Sequence, residues 1–265
     1  MRPLARLALA ALPVLLSACA LIPGEAPATT APQPTPTNMP GLEGPAEAIR
    51  IVEPGPGSRL VSPMTVRVVT TLPVFENTLA LRMLQDDGTE LVPAQAVIGT
   101  GPEGGPLTFE ARLTFEVAEE RPAFLQAYVA SPRDGGVTHL VSTVVTLMPR
   151  GAAELRPAAE EAERLQILVP APGQAIRGGI VHVEGVGLAS FEQTLLIEVV
   201  DAYGDVIGVQ PVLVQAADFG LPGPFVADVP YTLTASGPGR VVVRDISPAH
   251  GDDVHRSSVE VDLAP

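Results

Sequence analysis

His250, Asp252, Asp253 and His255 fall within one six-residue stretch, and their side-chain types suit zinc or another transition metal. A similar stretch earlier in the chain has Asp134 and His139 but lacks the other two. A solvated polar loop is the favoured reading of these residues, so no metal and no cofactor is expected. Glu76 and Glu192 are the other notable carboxylates. Each follows a phenylalanine that reads as core, and each could contact a ligand or accept backbone N–H groups where a strand begins. Their presence in two matching stretches favours the structural role. Asp86, Asp87, Asp201 and Asp205 cluster around glycines, where aspartate is common for its turn chemistry, and they lack the regular oxygen spacing of a calcium loop. No Gly-x-Ser-x-Gly and no phosphate-binding glycine loop is present, and Gly99 to Gly105 reads as a hairpin loop. The residues therefore offer no reaction chemistry. A hydrolytic enzyme ranks third among the readings, because short-looped strands leave little pocket for a carboxylate pair.

The single cysteine, Cys19, excludes an internal disulfide. Arg2 and Arg6 flank the start of an apolar run from Leu7 to Leu16, shorter than the about 20 residues that span a bilayer. A basic start, a short apolar centre and small residues after it make a secretory signal. Its end, Leu16-Ser17-Ala18-Cys19, resembles the bacterial lipobox. That resemblance implies cleavage before Cys19, lipidation of its thiol, and an extracytoplasmic protein anchored to a bacterial membrane. Two or more acyl chains hold a protein stably where one does not.

Residues 1–18 are thus read as a signal and 19–48 as a tether. Proline recurs every two or three residues there, between threonine and alanine. Such a segment prefers extended polyproline geometry and could reach on the order of 80 Å. Hydrophobic residues make up 46% of the chain, which suffices for folded cores. Twenty-five glycines, 29 prolines and few aromatics favour short strands with many turns over long helices. A net charge of −14 repels phosphate backbones, so nucleic acid is not an expected partner.

The remainder repeats. Phe75-Glu76-Asn77-Thr78-Leu79 returns as Phe191-Glu192-Gln193-Thr194-Leu195, an offset of 116. At that offset Ile51 meets Ile167, Phe109 meets Phe225, Ser131-Pro132 meets Ser247-Pro248, and His139 meets His255. Residues 49–149 and 166–265 therefore read as two copies of one domain, joined by an Ala/Glu-rich link over 150–165. Pro157 could open a short helix in the link, with Glu160 and Arg164 paired, making a semi-stiff hinge. Phe109 to Val117 alternates apolar and polar without a break, as a half-buried strand does. Pro230 at an outward position suggests an edge strand. Val66-Arg67-Val68 resembles Val181-His182-Val183 at an offset of 115, so one residue fewer is expected before that strand in the second copy. About seven strands per copy, with frequent turns, predict an all-β fold of two immunoglobulin-like antiparallel sandwiches.

Together, the Pro-x-Pro-Gly opening, the Phe-Glu-x-Thr-Leu strand start, the Asp/Tyr-Gly turn, the Phe-x-Ala strand and the Ser-Pro-x-x-Gly loop resemble the immunoglobulin-like domain of bacterial spore germination. The resemblance covers nearly all of both copies. It implies an extracytoplasmic β-sandwich of the kind attached to other envelope modules, and it implies no catalytic activity. The expected role is a binding or spacer module at the membrane, with another envelope protein or a cell-wall polymer as partner. A carbohydrate- or peptidoglycan-binding lipoprotein is the alternative. It is disfavoured by the absence of tryptophan and the three tyrosines available for stacking on sugars.

Overall fold

The computed structural model describes residues 47–158 and 162–265. The expected signal, Cys19 and the tether as far as residue 46 lie outside the described residues, as does Glu160. Sixteen strands are described, and their order repeats. The first copy holds β1 (Ile49–Glu53), β2 (Arg59–Val61), β3 (Met64–Thr70), β4 (Thr78–Gln85), β5 (Glu90–Ile98), β6 (Leu107–Leu113), β7 (Arg121–Ala130) and β8 (Val137–Met148). The second holds β9 (Leu165–Val169), β10 (Ala175–Ile176), β11 (Ile180–Gly187), β12 (Thr194–Val200), β13 (Val206–Leu213), β14 (Gly223–Pro230), β15 (Gly237–Ile246) and β16 (Asp253–Leu263).

Each copy is a sandwich. One layer has three strands, β1-β3-β6 or β9-β11-β14. The other runs β5-β4-β7-β8 or β13-β12-β15-β16. The alternation seen in the sequence becomes burial. In β3, Met64, Val66, Val68 and Thr70 are buried between exposed Thr65 and Arg67. Two separate cores result. Val66, Val68, Leu81, Phe109 and Leu125 belong to the first, and Val181, Val183, Ile197, Phe225 and Val243 to the second. Each fully buried valine, leucine or phenylalanine contributes about 1.5–3 kcal/mol, enough in number to hold a sandwich without a disulfide. Pro230 lies exposed on β14, an edge strand as expected. The opposite strand of the large layer is also an edge, and both carry a proline, Pro93 on β5 and Pro211 on β13.

At three places the fold differs from what the sequence predicts. The alternating segment from Phe109 stays a strand only to Leu113, although Phe115 beyond it remains buried. The offset between β3 and β11 is 117, not 115. Val66 pairs with Ala111 and Val68 with Phe109, whereas Val183 pairs with Ala227 and Gly185 with Phe225. The second copy has one residue more before this strand, and it loses one again before Phe191. Offsets of 115 and 117 differ by a full side-chain period, so the inward face is preserved either way. The third place is the link. No described residue from 151 to 158 is helical. Glu154 instead bridges to Arg59, the Arg156 carbonyl accepts the Gly55 N–H at 2.8 Å, and the Arg156 N–H donates to Ser58 Oγ at 2.9 Å. Residues 154 to 156 are thus strapped to the first copy, and the rest of the expected helix falls partly on residues 159–161, outside the described residues.

The two large layers are not independent sheets. β8 and β16 pair antiparallel along their outer edges, Val141 opposite His255 and Leu140 opposite Arg256. Leu140 and Arg256 are equivalent residues at the 116 offset. The two copies therefore meet through the same edge, related by a pseudo-twofold axis through this residue pair, as in an isologous dimer. Two cores thus share one continuous sheet.

Candidate functional site

The junction collects most of the buried polar side chains. Near one end of the pairing, the loop before β8 projects Asp134 onto the second copy. Its carboxylate accepts from Arg240 Nη2 on β15 at 2.9 Å, and both side chains are nearly sealed, 1% and 2% exposed. Arg240 Nε also donates to Glu260 at 2.8 Å, and Arg133 donates to the same glutamate at 2.7 Å. Burial alone would raise the Asp134 pKa. The Gly136 N–H and the Arg240 charge outweigh it and hold the carboxyl below its usual range.

At the symmetry-related end the chemistry differs. Asp134 is replaced by His250 and Arg240 by Phe124, and these two rings meet edge-on at 4.9 Å. The turn glycines complete each contact. A Cβ on Gly88 would approach His250 to 2.8 Å, and one on Gly204 would approach Asp134 to 3.4 Å. One half of the interface is thus an ion pair and the other an aromatic pair, on the same backbone.

Between these ends a polar ladder crosses the outer sheet face. Gln126 is fully buried. Its amide nitrogen donates to Ser142 Oγ at 2.9 Å and to the Asp253 carbonyl at 2.7 Å, while its oxygen accepts from Arg82 at 2.7 Å. The Asp253 carboxylate takes one arginine on each oxygen, Arg244 at 2.7 Å and Arg256 at 2.6 Å. Arg244 also donates to Glu198 at 2.6 Å. Satisfied on all sides, such a network fixes register across the junction.

The four residues noted in the sequence as a metal-type cluster do not converge. Asp253 is committed to its two arginines, His250 packs on Phe124, and Asp252 donates its N–H to His250 Nδ1 at 3.2 Å. His255 points to the other face of the sheet, where its Nε2 lies 2.9 Å from Glu163 Oε1. His139, its equivalent in the first copy, lines the same small cavity. Burial, partly offset by Glu163 and reinforced by His255 and Arg240, pushes the His139 pKa down to about 4.

The pH consequence has a definite sign. A histidine with a depressed folded pKa costs nothing above its unfolded value of about 6.5, and destabilises as pH falls from there towards 4. The full loss is on the order of 3 kcal/mol. Urea midpoints measured in EDTA buffer at pH 7 and pH 4.5 should diverge in the wild type, and by clearly less in His139→Gln. His182 acts in the opposite direction in part of that window, since Glu184 and Asp228 raise its pKa. The comparison with His139→Gln removes that background.

Glu76 and Glu192 require a different account. Phe75 and Phe191 are not core residues, being 59% and 48% exposed. Both glutamates are exposed, and among the described residues nothing hydrogen-bonds either carboxylate. What the two copies share is backbone. Glu76 and Asn77 both have φ of 51°, and Glu192 and Gln193 have 47° and 53°. Two successive left-handed residues turn the chain into β4 or β12. The following threonine hydroxyl then donates to the glutamate carbonyl, at 3.0 Å from Thr78 and 3.2 Å from Thr194. If backbone is what matters, Glu76→Asn should leave thermal stability unchanged or raise it by up to about 1 kcal/mol, because asparagine tolerates this conformation better. Thr78→Val should cost about 1 kcal/mol.

Two grooves flank the junction, related by the pseudo-twofold axis. One, of about 440 Å³, is lined by Val74, Ser131, Pro132 and Thr138 of the first copy and by Ser258 and Glu260 of the second. The other, of about 580 Å³, is lined by the equivalents Ser190, Ser247, Pro248 and Val254, with Ser142 and Val144 from the first copy. The Ser-Pro loops recurring in the sequence form the corresponding wall of each groove.

A sequence model of the immunoglobulin-like domain of bacterial spore germination matches residues 48–136 and again 164–252. The chain belongs to this family. Its two tandem domains carry the same loops, turns and groove walls at matching positions. No curated protein matches the chain. Among solved structures, the fibronectin(III)-like modules of Clostridium thermocellum CbhA are similar at 13% identity, over 81% of this chain and 92% of theirs, with a TM-score of 0.22. The Ig1-2 module of the Drosophila receptor protein tyrosine phosphatase DLAR is similar at 12% identity, over 83% of this chain and all of its own, with a TM-score of 0.21. Tandem domains of this family suggest a binding or spacer module.

Proposed function

We propose that the chain is a lipid-anchored envelope protein whose paired domains form a rigid, non-catalytic module that binds another envelope protein. The supporting observation is the continuous sheet through β8 and β16. It fixes two equivalent grooves at a set spacing, which a partner with two contact points, or a paired partner, can engage together. The lipobox-like Leu16-Ser17-Ala18-Cys19 supports the anchor, and the proline-rich tether supports a module held away from the lipid.

Immobilised ectodomain should retain a discrete envelope protein from detergent extract. A double groove variant, Pro132→Glu with Pro248→Glu, should lose most of it without a change in thermal midpoint. Retention by both forms alike would overturn the groove assignment. Co-sedimentation with purified peptidoglycan and no protein capture would favour the polymer-binding alternative. Mass spectrometry of membrane-extracted protein should find Cys19 as an acylated N-terminus, and an unmodified start would remove the anchor.

A further inference from the structure

We propose that Glu47, Glu163 and His255, with His139 beside them, form a binding site for one divalent transition-metal ion of the zinc class on the pseudo-twofold axis. One oxygen from each carboxylate and one nitrogen of His255 lie within 4.8 Å of one another. Ligand atoms around a tetrahedral ion at about 2.0–2.2 Å sit roughly 3.4 Å apart, so small side-chain shifts gather these three. Glu163 Oε1 lies 2.9 Å from His255 Nε2, while Glu47 Oε1 lies 3.9 Å from the other ring nitrogen, Nδ1, so one carboxylate or the ring must turn for all three to face one ion.

The donor set decides the class of ion. Imidazole with carboxylate suits zinc and its first-row neighbours, whereas calcium and magnesium prefer oxygen alone. All three side chains are nearly enclosed, with exposures of 8%, 10% and 5%. Two carboxylates held together out of water favour a cation between them. A cavity of about 10 Å³ lies against Glu163, His255 and His139, the space of one water-sized occupant.

The geometry behind the ligands is also set. Glu163 Oε2 accepts the Ala48 N–H at 2.8 Å, an outer contact that orients the carboxylate. Val141 is opposite His255 in the sheet register, and His139 is two residues along β8 from it. That is the diagonal position on the same sheet face, within reach of long side chains. Metal ligation requires ionised carboxylates and a neutral imidazole, so uptake weakens in acid. It would join the start of the first copy, the end of the link and the last strand of the second. The site borders both grooves, through Glu47 in the larger and His139 in the smaller, but it uses none of the Ser-Pro wall residues, and its test by metal uptake does not depend on the partner reading.

The test uses the mature chain without a histidine tag, stripped with EDTA and titrated with ZnCl2 at pH 7.5. One equivalent should bind saturably and raise the thermal midpoint, and Co2+ in its place should give visible d–d absorption. Glu47→Gln should weaken zinc by at least about tenfold. The metal-free midpoint of each variant is measured alongside, so that the loss of zinc affinity is read on folded protein. His255→Gln should abolish the cobalt spectrum. Absence of saturable uptake by the wild type would overturn the site, as would equal affinity in Glu47→Gln.

Discussion

Asp134→Ala should destabilise the folded chain by about 3 kcal/mol, because it strands a buried arginine. Arg240 is 2% exposed at the junction, and Asp134 is the enclosed half of its charge balance. Glu260 remains as a second partner but is 52% exposed, which places the expected loss at the lower end of the range for breaking buried pairs. In a domain pair of this size the midpoint should fall by roughly 10 °C. The sharper expectation is a rescue. Asp134→His combined with Arg240→Phe installs the residue pair already present at the symmetry-related end, where Phe124 meets His250. That double variant should return to within about 1.5 kcal/mol of the wild type, a coupling typical of residues in contact. Urea unfolding of the wild type, Asp134→His, Arg240→Phe and the double variant measures it, with Asp134→Ala alongside. A single-variant loss below about 1 kcal/mol would mean that the ion pair does not hold the copies together. Acid should weaken the wild type in the same place, since a carboxyl with a depressed pKa stabilises above its unfolded value of about 3.8 and loses that contribution as pH falls further.

Gly185→Ala should cost on the order of 3 kcal/mol. A Cβ there would lie 2.2 Å from the Phe225 ring and 2.3 Å from the Gln166 carbonyl oxygen. The ring is fully buried and the carbonyl belongs to the paired strand β9, so neither can retreat cheaply. Phe225→Leu in the same chain should recover only part of the loss, because the backbone clash remains. The corresponding position of the first copy is Val68, which tolerates a branched side chain. There the Phe109 ring closes on Gly99 instead, at 2.5 Å from its would-be Cβ. Chemical denaturation with near-ultraviolet circular dichroism follows each core separately enough to check this. An unchanged midpoint in Gly185→Ala would show that the ring is free to turn away.

This glycine also explains the missed register. Val-x-Val recurs in both copies, and any even change of offset keeps valines inward, so the alternating pattern fixes the face of β11 without fixing its position. The position is set by Phe225 needing a glycine beneath it, a contact 40 residues away in sequence. The strand pattern and the duplication were legible because each residue of a half-buried strand reports its own face. For the glutamates in Phe-Glu-x-Thr a structural role is the favoured reading, and what the repeat conserves is a left-handed turn of the backbone, a feature that residue type alone does not announce. The junction was hardest to see. His139 and His255 were recognisable as equivalents, but that they meet through one sheet edge depends on which strand of each copy is left open. Glu47 and Glu163 gave no local signal, since they reach His255 from two connecting segments far from it in the sequence.

The isologous contact sits inside a single polypeptide, and this frees it from a constraint on true dimers. When two identical chains associate about an axis, every substitution near that axis is felt twice, once on each side. Covalent succession of the two halves removes the coupling, and also removes the dependence of association on protein concentration. Each side can then acquire its own residues, as the arginine–aspartate and phenylalanine–histidine halves have done, and the asymmetry lets one surface specialise while its twin preserves the shape.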